Sequence, residues 1–211
     1  TGALPAKMLM EDELDPVERK QLARLILLGA RRLHALIEKA QLLGSLWSGT
    51  WKILAQPVDL CSLLRPSLEK IGQRGVQRDI EVREELDECP SLMLDPRGIQ
   101  QVISSILDNA LSFSPDGGRI RVRLSLEDDR VALSVSDEGE GIRPEFIPRV
   151  FDAFAKDDIH HHTRGHGLSM AIARQIVLKH RGTIDVESEL GKGTTFRVVL
   201  PLTAPAESHA A

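Results

Sequence analysis

The stretch Asp137-Glu138-Gly139-Glu140-Gly141-Ile142 decides how this sequence is interpreted. It follows an alternating, strand-like segment, and its two glycines allow the backbone to lie close to a flat ligand. A carboxylate at this place can accept a hydrogen bond from the exocyclic amine of adenine, and hydrogen bonds to charged groups contribute about 1.5–3 kcal/mol. Asp137 is therefore a candidate adenine acceptor, although a carboxylate before a glycine turn is also a common turn former.

A second glycine-rich stretch, Gly165-His166-Gly167-Leu168, immediately precedes a helix predicted from about Leu168 to His180. Backbone N–H groups and the positive end of that helix could face phosphate oxygens. Arg164 and His166 could add contacts to phosphate, although a flexible charged loop has the same composition. The neighbouring triplet His160-His161-His162 is interpreted as part of a solvated loop, because consecutive residues rarely converge on one metal ion.

Asn109 lies in an amphipathic helix predicted from Pro96 to Phe113, next to a buried aliphatic stripe that includes Ile106 and Ala110. An amide in a helix interior is either a boundary residue with satisfied hydrogen bonds or a ligand. Its carbonyl oxygen suits Mg²⁺, an ion that takes only one or two protein ligands when phosphates supply the rest. Asn109 is therefore a candidate metal ligand.

The chain is expected to divide into two folded parts. From Arg19 to Trp47 the apolar residues recur in steps of four and three, which predicts a bundle helix that pairs with another helix or chain. Residues 3–10 are expected to be the end of a preceding antiparallel helix. We therefore expect a helical hairpin at residues 1–50, a second domain at 51–203 and a flexible tail at 204–211.

The second domain is predicted to be α+β. Antiparallel hairpins dominate the expected strand connections, which favours an α/β sandwich with a mixed, largely antiparallel sheet and helices on one face. Ser48 to Pro57 is expected to be a linker. Strands are predicted at 80–84, 119–126, 130–136, 183–188 and 194–200, and a further helix at 60–72.

The composition excludes several classes of protein. The 211 residues carry a formal net charge of −4, which gives no long-range attraction for nucleic acid. No apolar run approaches the roughly 20 residues of a membrane span, so no membrane contact is expected. Cys61 and Cys89 lack metal-ligand spacing and are expected to be free thiols.

On these residues the sequence resembles the sensor histidine kinases of two-component systems. Their catalytic domain has the Bergerat-type fold of the gyrase, heat-shock chaperone and histidine kinase ATPases. Five motifs occur in the order of that family. They are the asparagine box at 103–114, the first glycine box at 137–141, the phenylalanine box at 151–154, the second glycine box at 165–168 and a last glycine motif at 191–196.

The resemblance implies ATP and Mg²⁺ as cofactors, with Asn109 as the metal ligand. It implies transfer of the γ-phosphate to a histidine and then to an aspartate of a response regulator receiver domain. It also implies a homodimer formed through the helical hairpin. The nucleotide site that it implies consists of Asn109, Phe113, Asp137, Gly139, Gly141, Ile142, Arg164, Gly165, His166, Gly167, Leu168 and Thr195.

The sequence also departs from the family pattern. The acceptor histidine is expected upstream of Thr1, because His34 is followed by Ala35 instead of an acidic residue. Three serines also differ from the residues that are common in the family. They replace an asparagine at Ser105, a basic residue at Ser112 and a glycine at Ser169. One alternative is therefore a degenerate kinase that acts as a dimeric regulatory or interaction module, and a less favoured one is a chaperone-type ATPase. The chain is expected to be cytoplasmic, either alone or as the cytosolic part of a membrane-anchored sensor.

Overall fold

The computed structural model describes residues 15–155 and 167–202 of the chain. The helix end expected at 3–10 and the tail expected at 204–211 lie outside the described residues. Within them the helices are α1 (Pro16–Trp47), α2 (Leu60–Gly75), α3 (Pro96–Phe113) and α4 (Ser169–Lys179). The strands are β1 (Gln56–Val58), β2 (Glu81–Leu86), β3 (Leu92–Leu94), β4 (Arg119–Glu127), β5 (Arg130–Asp137), β6 (Thr183–Glu189) and β7 (Gly193–Pro201).

A mixed sheet of five strands, in the order β2-β4-β5-β7-β6, forms the centre of the fold. β2 and β4 run parallel, whereas every other neighbouring pair in this sheet is antiparallel. β1 and β3 form a separate antiparallel ribbon. The prediction of a mixed, largely antiparallel sheet is confirmed.

One face of the central sheet is covered by helices, and the other face is charged. In β4, Ile120, Val122 and Leu124 are fully buried and share one hydrophobic core with aliphatic residues of α2, α3 and α4. The intervening residues of β4 lie on the opposite face, as the period of two in a strand requires. The predicted placement of helices on one face is therefore confirmed. The ion pairs on the charged face include Arg119–Glu81 and Arg121–Glu85.

α3 has the bounds that its sequence predicts. Asp95 caps its first turn by accepting a hydrogen bond from the Arg97 backbone N–H, and Pro96 occupies the first helical position, where no N–H is needed. The aliphatic stripe of the helix is buried, so Asn109 lies beside the core and is half-buried. The helix thus presents Asn109 at the edge of the core, as expected.

A buried polar cluster joins the start of α3 to the end of α4. Asp95 is fully buried, and its carboxylate accepts hydrogen bonds from the Arg97 guanidinium at 2.7 Å and the Leu54 backbone N–H at 2.9 Å. Its own backbone N–H donates to His180 Nε2 at 3.0 Å, while His180 Nδ1 lies 2.8 Å from the Ile176 carbonyl oxygen. The segment that follows α1 is thereby tied to two helices of the core.

The protonation states of this cluster follow from its surroundings. Burial alone would raise the pKa of Asp95, but the Arg97 guanidinium and the backbone donors outweigh it and hold the pKa at about 2. Burial lowers the pKa of His180, because the imidazolium would lose its hydration. His180 is therefore neutral, and Nε2 can accept the hydrogen bond from Asp95.

α1 has different surroundings at its two ends. Asp15 caps the helix by accepting hydrogen bonds from the backbone N–H groups of Val17 and Glu18. The last turns belong to the core, because Leu43 and Leu46 are buried. Earlier apolar residues of the helix are exposed within this chain: Leu25, Leu28, Leu33 and Ile37.

The apolar repeat predicted for residues 19–47, which includes Leu33, Leu43 and Trp47, is therefore not one buried stripe within a single chain. Leu43 is buried, whereas Leu33 and Trp47 are 58% and 60% exposed. Pairing of this helix with another helix stays a prediction. The boundary expected near residue 50 also stays a prediction, since the end of α1 packs into the same core as the rest.

Two short strands lie where the sequence predicted none. β1 lies at the end of the expected linker, and β3 follows the loop after β2. Strands of three residues are too short to show alternation, and Pro57 in β1 fits a ribbon that pairs on one side only. Within the ranges given above, no helix is long and apolar enough to cross a membrane.

We expect His180→Gln to change how stability depends on pH. The imidazole of the unfolded chain titrates near its ordinary pKa of about 6.5, whereas that of the folded protein is lower. The native state therefore binds fewer protons, so the contribution of His180 is present above about pH 6.5 and is lost as the pH falls. Chemical denaturation should show the wild-type advantage in unfolding free energy shrinking between pH 8 and pH 5. An advantage of equal size at both pH values would contradict this assignment.

Candidate functional site

Asp137 is the last residue of β5, and it is 6% exposed. Its Oδ1 accepts a hydrogen bond from the Gly139 backbone N–H at 2.9 Å, and the Thr194 backbone N–H also bonds to the carboxylate. Burial nevertheless raises the pKa of Asp137 to about 6. The charge of this carboxylate is thus incompletely compensated, and it can accept a further donor such as an amine of a base.

Gly139 brings the turn after β5 against the end of α3. A Cβ at this position would lie 2.5 Å from the Phe113 carbonyl oxygen and 2.7 Å from Asp137 Oδ1, so no other residue fits without displacement. Phe113 follows Asn109 by one helical turn, and both side chains are half-buried. The fold therefore brings the predicted carboxylate, glycine and asparagine helix together.

The turn between β6 and β7 supports the same segment from the other side. Gly141 has a φ of +73°, and a Cβ there would overlap the Glu189 carbonyl oxygen. The Ile142 backbone N–H donates to Ser188 Oγ at 2.8 Å. Ser188 is a supporting residue that the sequence did not reveal, because a serine within a strand carries no distinct signal. The Ile142 side chain packs against the core, so it can meet a ligand only at its margin.

Thr195 does not lie beside Asp137 and the glycine turn, although it was predicted to belong to the nucleotide site. Its Oγ1 lies 2.8 Å from Ser136 Oγ, on the face of the sheet opposite to Asp137. The neighbouring Thr194 is directly opposite Asp137 in the strand register and is buried beside it. Alternate residues of β7 point to opposite faces, so only the register with β5 determines that Thr194, and not Thr195, lies beside Asp137.

Gly167 and Leu168 form the junction that leads into α4. The Phe154 backbone N–H donates to the Gly167 carbonyl oxygen at 2.8 Å, and a Cβ at Gly167 would lie 2.5 Å from the Ala155 carbonyl oxygen. Leu168 is buried in the core and caps α4 without a side-chain hydrogen bond. Its role is thus to anchor the helix start. Arg164, Gly165 and His166 lie outside the described residues.

A cleft of about 430 Å³ opens between the end of α3 and the turn after β5. Phe113 and Gly139, two of the predicted site residues, line it, whereas Asp137, whose carboxylate accepts a hydrogen bond from Gly139, does not. Its other lining residues are Ser112, Pro115, Glu138 and Glu140. The cleft thus adjoins the place where Gly139 contacts the end of α3.

Residues 94–204 match the family described as histidine kinase-, DNA gyrase B-, and HSP90-like ATPase. The chain belongs to this family. It is 32% identical over 206 residues to the alginate biosynthesis sensor protein KinB of Pseudomonas aeruginosa, covering 96% of this chain and 34% of KinB. The chain spans between 21% and 41% of the length of seven curated relatives that it matches, including the Bacillus subtilis sporulation kinase E and a Synechococcus sensory kinase SasA.

Solved structures of the family have the same fold. The mycobacterial sensor histidine kinase MprB is 32% identical, with a TM-score of 0.63 over 72% of this chain and 100% of that chain. Full-length ShkA in complex with AMPPNP is 27% identical, with a TM-score of 0.78 over 97% of this chain and 43% of that chain. The match to ShkA extends over α1 as well as the ATPase domain.

The three serines that depart from the family pattern each have a hydrogen-bond partner. Ser105 is buried and lies 3.4 Å from Gln101 Nε2. The Ser112 hydroxyl donates to the Asp108 carbonyl oxygen of its own helix at 2.6 Å. Ser169, in the first turn of α4, accepts a hydrogen bond from Lys39 of α1 at 2.7 Å. Thus Ser112 is engaged with its own helix, while Ser169 links the ATPase domain to the preceding helix.

We expect Gly141→Ala to destabilise the protein much more than Gly117→Ala. The two glycines have nearly the same φ, +73° and +74°, so alanine suffers the same backbone strain at both positions. Only at Gly141 would the new Cβ also collide with a backbone carbonyl, whereas nothing lies within 4 Å of it at Gly117. Thermal melting of the two variants measures the difference. Equal losses in Tm would show that the close approach at Gly141 is unimportant.

Proposed function

We propose that this chain is the ATP-binding catalytic core of a two-component sensor histidine kinase. The observation that carries the proposal is Asp137, a buried carboxylate with a raised pKa at the turn that Gly139 holds against the asparagine helix. Such a carboxylate suits a ligand that supplies its own donor, and the family membership identifies that ligand as ATP. Adenine would donate its exocyclic amine to Asp137.

The other proposed contacts follow from the positions of the site residues. Gly139 and Gly141 leave room for the base, and Phe113 would lie against it from the end of α3. The start of α4, with Gly167 and the preceding Arg164-Gly165-His166, would bind the phosphates through backbone N–H groups and cationic side chains. Thr194 would support the carboxylate through its backbone N–H.

Asn109 is the proposed ligand of Mg²⁺. Among the described residues, no group of three or more His, Cys, Asp or Glu side chains could hold a metal ion. This suits an ion that takes one or two oxygens from protein and the others from phosphate and water. When bound, Mg²⁺ would neutralise charge on the phosphoryl group during its transfer. The half-buried amide of Asn109 would fix the position of the phosphates relative to Asp137.

The phosphoryl acceptor is proposed to be a histidine nitrogen that precedes Thr1, and the next acceptor an aspartate of a receiver domain. His34 fits the acceptor role poorly, because Ala35 follows it where the family has an acidic residue. Its exposed ring lies 3.4 Å from Glu38, one turn further along the same helix. The exposed apolar residues of α1 support a homodimer in which this helix pairs with other helices.

The alternative of a degenerate kinase rests on Ser105 and Ser112. The Ser112 hydroxyl cannot replace a cation, since it is neutral and bonded to its own helix. Loss of one cationic contact slows phosphoryl transfer by about tenfold for each 1.4 kcal/mol, without removing the nucleotide site. The relatives that match this chain are named as sensor kinases, and nothing about them favours the degenerate form.

We expect Asp137→Asn to weaken ATP binding while stabilising the protein without nucleotide. Loss of the charged acceptor should lower ATP affinity by about 10–100-fold, as measured by calorimetry. The folded pKa of about 6 exceeds the unfolded value, so protonation of Asp137 favours folding at low pH, and this contribution is lost as the pH rises through about 6. The variant should therefore gain about 1–3 kcal/mol of unfolding free energy at pH 7.5.

The same variant has an internal control in pH. At pH 4.5 the wild-type carboxyl is already protonated in the folded state, so most of the stability gain should vanish. Unchanged ATP affinity would contradict the adenine assignment. A gain that persists at pH 4.5 would contradict the charge-burial explanation.

Phosphotransfer by a chain extended upstream through the preceding helix tests the proposed activity. Incubation with γ-labelled ATP and Mg²⁺ should give an acid-labile, base-stable phosphohistidine. Asn109→Ala should abolish the label, whereas Ser112→Ala should retain it, because that hydroxyl is bonded within its own helix. If ATP binds but no phosphohistidine forms, the kinase proposal is wrong and the interaction-module alternative is favoured.

A further inference from the structure

Cys61 and Cys89, the only cysteines of the sequence, converge on one backbone carbonyl group. Cys61 lies in the first turn of α2, where its backbone N–H donates to Asp59 Oδ1 at 2.9 Å. Cys89 lies between β2 and β3. The sulfur of Cys61 is 3.7 Å from the Asp87 carbonyl oxygen, and that of Cys89 is 3.5 Å from the same oxygen. The two thiols therefore lie on the same carbonyl oxygen, at 3.7 Å and 3.5 Å from it, although they are far apart in sequence.

The reduced arrangement is held only weakly. A thiol is a poor donor, and both thiols share the same acceptor. Both side chains are half-buried, so a small oxidant can reach them. Residues 87–91 belong to no helix or strand, and this loop can adjust more easily than the two elements that it connects. Thus a disulfide needs this loop to move the Cys89 sulfur from the Asp87 carbonyl towards the Cys61 sulfur.

We propose that Cys61 and Cys89 form a reversible intramolecular disulfide when the chain meets a two-electron oxidant of the peroxide class. One thiolate attacks a peroxide oxygen, which breaks the O–O bond and gives a sulfenic acid and a hydroxide ion. The second thiolate then attacks that sulfur and displaces a second hydroxide ion as the S–S bond forms. Each hydroxide takes up the proton that one thiol lost on ionisation and becomes water. Two thiols and one hydrogen peroxide thus yield one disulfide and two waters. A dithiol reductant reverses the reaction.

The electrostatic surroundings set the rate of this oxidation. Burial raises the pKa of both thiols, and neighbouring carboxylates raise it further. The thiolate is therefore a minor species at neutral pH, and oxidation should accelerate as the pH rises from 7 to 9. The two thiols should therefore react slowly with peroxide at neutral pH, so that the disulfide forms during prolonged exposure and not during a brief one. The charged groups that face it are Asp59, Arg65, Asp87 and Glu88.

The disulfide would constrain the part of the ATPase domain that follows α1 in the sequence. It would tie the start of α2 to the loop that precedes β3. Because β3 pairs with β1, which follows the linker after Trp47, the link would limit the freedom of the whole linker-proximal ribbon. A loop of this length, closed by a bond that the unfolded chain retains, should raise Tm by about 5–10 °C.

Mass spectrometry of the whole chain tests the proposal directly. The reduced protein is exposed to hydrogen peroxide, blocked with iodoacetamide and digested with trypsin. The expected result is a linked pair of peptides, 53–70 and 84–97, from protein that migrates as a monomer on a non-reducing gel. Dithiothreitol should release the two peptides, and Tm of the oxidised protein should fall back to its original value.

Cys61→Ser and Cys89→Ser are the matched controls, because each keeps one thiol in the same surroundings. Neither variant should give the linked peptides, and peroxide should not raise Tm of either one. The proposal is overturned if wild-type protein yields only sulfinic or sulfonic acids, only intermolecular cross-links, or linked peptides without any change in Tm relative to the two variants.

Discussion

The close approach of backbone segments at positions where no Cβ fits is the constraint on which the site depends. Gly139 lies against the Phe113 carbonyl of α3, and Gly141 lies against the Glu189 carbonyl of β6. Each neighbour is backbone, which cannot move aside as the end of a long side chain can. The distance between the Asp137 carboxylate and α3, which carries Asn109, is therefore set by the fold, and side-chain packing has little freedom to alter it.

Two buried carboxylates of this chain, Asp95 and Asp137, have opposite pKa shifts because their hydrogen-bond partners differ. Asp95 is bonded to the Arg97 guanidinium and two backbone N–H groups, and its pKa is held at about 2. Asp137 has backbone donors but, among residues 15–155 and 167–202, no cation that forms an ion pair with it, and burial raises its pKa to about 6. The first carboxylate stabilises the junction of α3 with its neighbours. The second has no charged partner among the described residues, so it can accept a further donor, and its burial destabilises the folded protein.

The sequence predicted those parts of the fold whose signals are local. The bounds of α3 follow from its cap, its proline and its aliphatic stripe, and the long strands follow from alternation. The short ribbon of β1 and β3 escaped prediction because three residues show no period. The assignment of Thr195 instead of Thr194 arose because a motif gives spacing along the chain, whereas the choice of face depends on the register between β5 and β7.

The attachment of α1 has a mechanical consequence. A helix of 32 residues is about 48 Å long, yet it contacts the ATPase domain mainly through Leu43 and Leu46 near its end and through Lys39, which bonds to Ser169 at the start of α4. If the helix tilts as a rigid rod, it therefore pivots near the first turn of α4, where Lys39 bonds to Ser169. A tilt of a few degrees displaces its far tip by several ångströms and presses on the first turn of α4 by only a fraction of one. A large displacement at the start of α1 would thus become a small displacement at Ser169, of the size that forms or breaks a hydrogen bond.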